Sequence, residues 1–268
     1  MSVVDIHVHT FPEKIAASAL ATLQARSHTQ PFTKGTISEL NESMREAGIT
    51  RSILQPVATR AEQVTRINDY AIKINAQGNS TGVYSFGAMH PDFPDYYSEL
   101  KRISDAGIKG IKLHPVYQDA NINDKRYINI LSRACELGLA VLIHAGWDIG
   151  FPGNDYAMPG KIIEALKLSG ASRVILAHMG GWKAWDEACE LFANVKGVYV
   201  DTAFSLGFLS QEKFTSIIKT FGADRVLFGS DSPWASQLES VKSIDSLDLT
   251  EHEKRLILYG NAENLLKL

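Results

Sequence analysis

The chain has 268 residues, 45% of them hydrophobic and 21% charged, with a formal net charge of −3. Charges of both signs are interspersed, which gives no support to a nucleic-acid or membrane-surface partner, and no apolar run approaches the roughly 18 residues of a membrane span. A small-molecule substrate is left open.

The opening Met1-Ser2-Val3-Val4-Asp5 lacks a basic and then apolar leader, so a cytoplasmic setting is expected. Two cysteines, Cys135 and Cys189, are too few for a disulfide framework and read as small buried apolar residues. Common symmetry suggests a homodimer as the assembly.

In chain order, short β-branched runs at 3–9, 52–55, 82–88, 108–113, 140–144, 173–178, 197–201 and 225–229 alternate with amphipathic stretches. Those stretches include 37–47, 123–137, 160–168 and 211–221, and glycines at 48, 138, 170 and 222 suit their C-terminal ends. Repeated βα units without a long linker predict one domain over 1–268, a single (β/α)8 TIM-type barrel of the α/β class. Residues 11–35, inserted after the first strand, are expected to hang over the catalytic face as a lid. Residues 250–268 are expected to form one or two terminal helices on the outside of the barrel. No glycine-rich phosphate loop opens any helix.

Six of the eight histidines, His7, His9, His90, His114, His144 and His178, fall at or just past the C-terminal end of a predicted strand. In a barrel those ends form one rim, where active sites are built. Side-chain alternation places Asp5, His7 and His9 on one face of the first strand, with Ile6 and Val8 on the other. Apolar runs end in His144 and His178, and Asp231 follows the eighth strand, which neighbours the first in a closed barrel. Imidazoles and a carboxylate together suit a divalent metal: zinc first, with iron, manganese or nickel as alternatives.

His90-Pro91 and His114-Pro115 also read as structural strand exits, because proline fixes the departing chain. Lys112 shares a face with Gly110 and His114. It pairs with a carboxylate such as Asp201 or Asp231, binds a substrate anion, or bridges two metals if carbamylated.

The motifs Asp5-Ile6-His7-Val8-His9, Ile111-Lys112-Leu113-His114-Pro115, His144, His178, Gly229-Ser230-Asp231-Ser232-Pro233-Trp234 and Gly260-Asn261-Ala262-Glu263-Asn264 together resemble the amidohydrolase superfamily. The nearest branch is the amidohydrolase-related one that includes aminocarboxymuconate-semialdehyde decarboxylase. The resemblance implies a barrel with His7, His9, His144 and Asp231 as metal ligands and His178 as a general acid/base or a second-metal ligand. Lys112 falls where some binuclear relatives carry a modified lysine. One ion is expected rather than two.

On this reading Asp231 is both ligand and proton acceptor, and His178 handles the proton of the reaction. The leading expectation is hydrolysis of a small amide, lactone or ester by metal-activated water. Non-oxidative decarboxylation of an unsaturated or aromatic acid comes second, and a non-catalytic metal-binding barrel third. Substrate contacts are expected from Arg60, His114, Trp147, Tyr156, Trp182 and Trp234, with Asp148, Phe151, Asn154, Lys183, Trp185 and Phe204 as further rim residues.

Overall fold

The computed structural model describes residues 2–267. Met1 and Leu268, which belong to the predicted single domain, lie outside the described residues. Among the described residues nine strands are interspersed with helices: β1 (Val4–Val8), β2 (Arg51–Leu54), β3 (Val83–Ser85), β4 (Gly87–Ala88), β5 (Gly110–Leu113), β6 (Ala140–Ile143), β7 (Val174–Leu176), β8 (Val198–Asp201) and β9 (Val226–Leu227). All pair in parallel, in the orders β1-β2-β3 and β4-β5-β6-β7-β8-β9. The predicted strand over 82–88 is therefore two short strands broken at Phe86. That residue still donates its amide to the Leu54 carbonyl at 3.0 Å, so the ring continues across the break.

The remaining seam is closed by backbone bonds from Ile6 N to Phe228 O (2.9 Å), Asp231 N to His7 O (2.8 Å) and His9 N to Ser232 O (2.6 Å). These put the Asp231 segment beside the His-x-His pair. Gly229 makes the approach feasible, since a Cβ there would lie 2.8 Å from His7 Cβ.

Two apolar layers hold the barrel. Outside it, Val3, Val8, Leu54, Ile111, Leu113, Val141 and Ile143 pack with helical residues such as Leu40, Met44, Ile130 and Ile162. Inside, Val4, Ile6, Ile53, Phe86, Ala140, Leu142, Ile175 and Leu227 fill the lower cylinder. Helices 37–47 and 160–168 appear as Ile37–Ala47 and Pro159–Ser169, the first capped by Thr36, and each is followed by a left-handed glycine, Gly48 or Gly170. No helix among the described residues is long and apolar enough to cross a membrane.

Three expectations are corrected. Strict alternation fails on β1, whose register against β2 shifts between Asp5 and Val8. Ile6 faces the barrel interior, yet the next residue, His7, reaches Lys112 there, while Asp5 turns outward to Ser230 and Gln237. The bulge places two successive side chains on the same side, which a period of two cannot foresee. The terminal segment, with helices Glu251–Arg255 and Asn261–Leu266 joined by a π turn, plugs the barrel rather than covering its outside. Ala262, Leu265 and Leu266 pack among the interior residues, and Arg51 pairs with Glu263. Cys135 and Cys189 are both free and half-buried, not buried.

The plug carries a stability prediction. Leu266 is 1% exposed, so Leu266→Ala should cost about 2–5 kcal/mol through lost burial and a residual cavity. Leu168, 61% exposed, should tolerate alanine within about 0.5 kcal/mol. Urea unfolding of both variants checks this, and equal losses would contradict the plug.

Candidate metal centre

The rim is dry. Lys112 and His7 are 1% exposed, His178 5%, and His114, His144 and Asp231 7% each. Burial drives the His7, His114 and His144 imidazoles well below their ordinary pKa, so they are neutral and offer lone pairs at pH 7. Burial also raises Asp231, but the His7 and His9 rings beside it outweigh that and bring it down to about 2.

Hydrogen bonds decide where each ring carries its proton. His7 Nδ1 lies 2.8 Å from Asp201 Oδ2, and that carboxylate's other oxygen accepts from the His178 and Ala203 amides. A carboxylate accepts, so His7 carries its proton on Nδ1 and turns the Nε2 lone pair inward. The Lys112 ammonium lies 3.2 Å from that Nε2. His178 Nδ1 faces the Ala203 carbonyl at 2.9 Å, which leaves its Nε2 pointing to His144 Nδ1 at 3.1 Å. His9 Nε2 and His7 Nε2 are 3.1 and 3.4 Å from the same Asp231 oxygen.

One ligand atom each from His7, His9 and Asp231 lies within 4.8 Å of the others, a set that could hold a metal ion. A second set meets the same criterion: His114, His144 and Asp148. His144, expected with the first set, thus belongs to the second by distance, and reaches the first through His178. His144 Nε2 is buried without a hydrogen-bond partner. Neutral imidazoles, an ionised carboxylate and an ammonium already facing a histidine lone pair fit a divalent cation. His178 and Asp231 both hold left-handed backbone, with φ of 60° and 71°. Such strain in non-glycine residues is characteristic of functional positions.

The predicted contact residues scatter. Trp182 is buried, its ring 5.3 Å from Phe208 and 6.3 Å from Phe204, with Lys183 Nζ 4.6 Å above it. The Trp147 amide bonds the Trp182 carbonyl, the Trp234 amide bonds Asp231 O, and Trp185 Nε1 donates to His178 O. His114 stacks on His144 at 4.1 Å. Arg60 is exposed at the start of a short 3-10 turn and its side chain reaches none of these groups. The Tyr156 phenol faces exposed Asp119, whose charge raises its pKa.

Residues that sequence reasoning missed complete the mouth. Tyr117 packs edge-on against His114 at 4.3 Å and Phe151 at 5.1 Å, and the Arg26 guanidinium lies 4.5 Å over the Phe151 ring. Arg26 belongs to helix Glu13–Ser27 in the insertion after β1. The Tyr117 hydroxyl is pushed up by burial first and then by the charges of Asp148 and Asp231, with Arg26 opposing. No local sequence signal marked either residue.

Burial lowers the Lys112 ammonium to about 8, with Asp201, Asp231 and Asp148 partly offsetting it. From there up to the ordinary lysine value the unfolded chain holds a proton that the folded chain has lost. The ion-free protein should then gain stability as pH rises from about 8 to about 10, and Lys112→Met should remove that gain. Denaturant unfolding at the two pH values measures it; identical pH dependence in wild type and variant would contradict the assignment.

The amidohydrolase family model matches residues 4–268. No curated protein matches the chain. Among solved structures, an uncharacterized TIM-barrel protein from Bordetella bronchiseptica superposes with a TM-score of 0.80 at 19% identity, covering 100% of this chain and 99% of that one. A dihydroxybenzoic acid decarboxylase from Polaromonas sp. JS666, with bound manganese and 2-nitroresorcinol, gives 0.73 at 17% identity, covering 100% and 97%. A probable 2-pyrone-4,6-dicarboxylic acid hydrolase from Acinetobacter baumannii gives 0.70 at 19% identity, covering 100% of both chains.

Proposed function

Because the chain belongs to the amidohydrolase family, we propose that it is a metal-dependent enzyme that removes carbon dioxide, without oxidation, from a small unsaturated or aromatic acid. The observation that carries this reading is a buried histidine cluster beneath a ring-lined mouth with a guanidinium at its outer edge. The sequence put hydrolysis first; the burial of the centre supports placing decarboxylation ahead of it in this proposal. Hydrolysis needs water delivered there, whereas a carboxylate that leaves as neutral carbon dioxide loses its charge and is helped by desolvation.

His7, His9 and Asp231, with His144 at the neighbouring position, would hold the ion. Zinc is the proposed ion on its imidazole and carboxylate ligands. Manganese is the alternative that the metal bound in the dihydroxybenzoic acid decarboxylase suggests. When bound, the ion supplies a fixed positive charge that polarises a substrate oxygen.

The protein's own residues do the rest. His178 has its Nδ1 proton tied to the Ala203 carbonyl, so only Nε2 is free to give or take a proton. In the proposed step the bond between carbon and carboxylate breaks, the electron pair stays on carbon, and a proton that His178 Nε2 has first taken up from solvent takes that pair as carbon dioxide leaves. Asp231 stays ionised throughout the neutral range. Arg26 and the Tyr117 hydroxyl would grip a carboxylate or phenolate that does not react, and the Phe151 and His114 rings would flank a flat substrate. The cytoplasm is the proposed setting.

Hydrolysis of a lactone, ester or amide is the second reading. The similarity to the probable 2-pyrone-4,6-dicarboxylic acid hydrolase favours it. Both readings share a flat, acidic substrate.

The test uses zinc- or manganese-loaded protein with hydroxybenzoic acids and carboxylated 2-pyrones. The proposal predicts released carbon dioxide and, in heavy water, one deuterium at the former carboxylate position. His178→Asn should lower turnover by about 10²–10⁴-fold while keeping the metal. Ring opening without carbon dioxide would establish the second reading instead, and full turnover by His178→Asn would remove the role of His178.

A further inference from the structure

Two rim histidines have a buried carboxylate behind them, but only one pair is bonded. His7 is tied to Asp201 at 2.8 Å, whereas His144 Nε2 and Asp148 Oδ2 stand 3.6 Å apart and His144 Nε2 has no partner. The ring protons leave His144 with no donor for that carboxylate. His178 Nδ1 must donate to a carbonyl, so its Nε2 is a lone pair, and His144 Nδ1, 3.1 Å away, carries the proton between them. Neutral His144 then turns a bare lone pair toward a carboxylate oxygen. Two acceptors do not bond.

That mismatch disappears when His144 Nδ1, the nitrogen on the His178 side, gives its lone pair to a cation. The ring proton must then sit on Nε2, where Asp148 accepts it. We infer that Asp148 is a positioning residue for the metal centre, a carboxylate that orients His144 and favours the tautomer an ion requires. The inference rests on the proposed metal-dependent reading.

Asp148 is built for this position. It is 8% exposed, and its Oδ1 accepts from the Gly150 amide at 2.8 Å, leaving Oδ2 for the rings. His114 presents its Nε2 to the same Oδ2, also at 3.6 Å, and its ring lies nearly parallel to that of His144 at an interplanar angle of 11°. The Tyr117 amide donates to His114 Nδ1 at 3.4 Å, which places the His114 proton on Nε2. His114 Nε2 therefore faces Asp148 as a donor rather than as a lone pair. With an ion on His144 Nδ1, the trio becomes one carboxylate receiving two N–H groups rather than a second ion site.

The experiment compares wild type, Asp148→Asn and Asp148→Glu by competition for zinc against a chromogenic chelator, with metal stoichiometry and the melting temperature of the ion-free proteins. The asparagine amide would donate to the bare His144 Nε2 and hold the tautomer that cannot bind. Asp148→Asn should therefore bind zinc about 10–100-fold more weakly while its ion-free form melts no lower than wild type. Asp148→Glu should recover most of the affinity. Affinity within twofold of wild type in Asp148→Asn overturns the inference. So does a wild-type stoichiometry of two ions that falls to one in Asp148→Asn, since Asp148 would then be a ligand. A wild type that takes up no zinc or manganese overturns the proposed function along with it.

Discussion

Rings buried at the rim must satisfy their protons within the protein, and the contact between Asp201 and His7 is where that assignment begins. Asp201 is fully buried and fixed by two backbone amides, so it leaves His7 one choice of tautomer. The His7 lone pair then points inward, toward Lys112 and Asp231. In water such preferences are worth little. In a low-dielectric pocket an unpaired donor or acceptor costs about 1–3 kcal/mol, so the pattern propagates from ring to ring. The Ala203 carbonyl fixes His178 in the same way, and His178 in turn fixes His144.

The scaffold spends local regularity to achieve this. The irregularity on β1 turns Asp5 outward, where Ser230 and Gln237 hold it, and turns His7 in. Asp5 thereby braces the segment after β9 that carries Asp231, while Gly229 lets that segment approach His7. Left-handed backbone at His178 and Asp231 aims two more groups at the same volume. The apolar interior below, stoppered by Leu265 and Leu266, keeps water from reaching the centre from the other end.

Much of this was legible in the sequence. Apolar runs ending in histidine marked the strands and their exits, because a barrel's strand ends share one rim. His7, His9 and Asp231 could be brought together from strand order alone. Lys112 could be turned inward from its spacing to Gly110 and His114. What escaped was set by tertiary contact. The flip of Asp5 needs the bulge, whose position depends on pairing with β2. The orienting role of Asp201 needs two strands far apart in the chain to be placed together. The terminal helix was read as an outer cover because an apolar helix face says that it packs, but not against which layer. Arg26 and Tyr117 were overlooked because what brings them to the mouth is the docking of the insertion and the exit of a loop, which periodicity does not describe.

Fixed ring protons that converge lone pairs on one cation leave a signature in diffraction. Crystals soaked in zinc or manganese should show a single anomalous peak about 2.0–2.2 Å from His7 Nε2, His9 Nε2 and an Asp231 oxygen, with His144 supplying Nδ1. A peak bound instead by Asp148 and His114, or no peak at the mouth of the barrel, would contradict it.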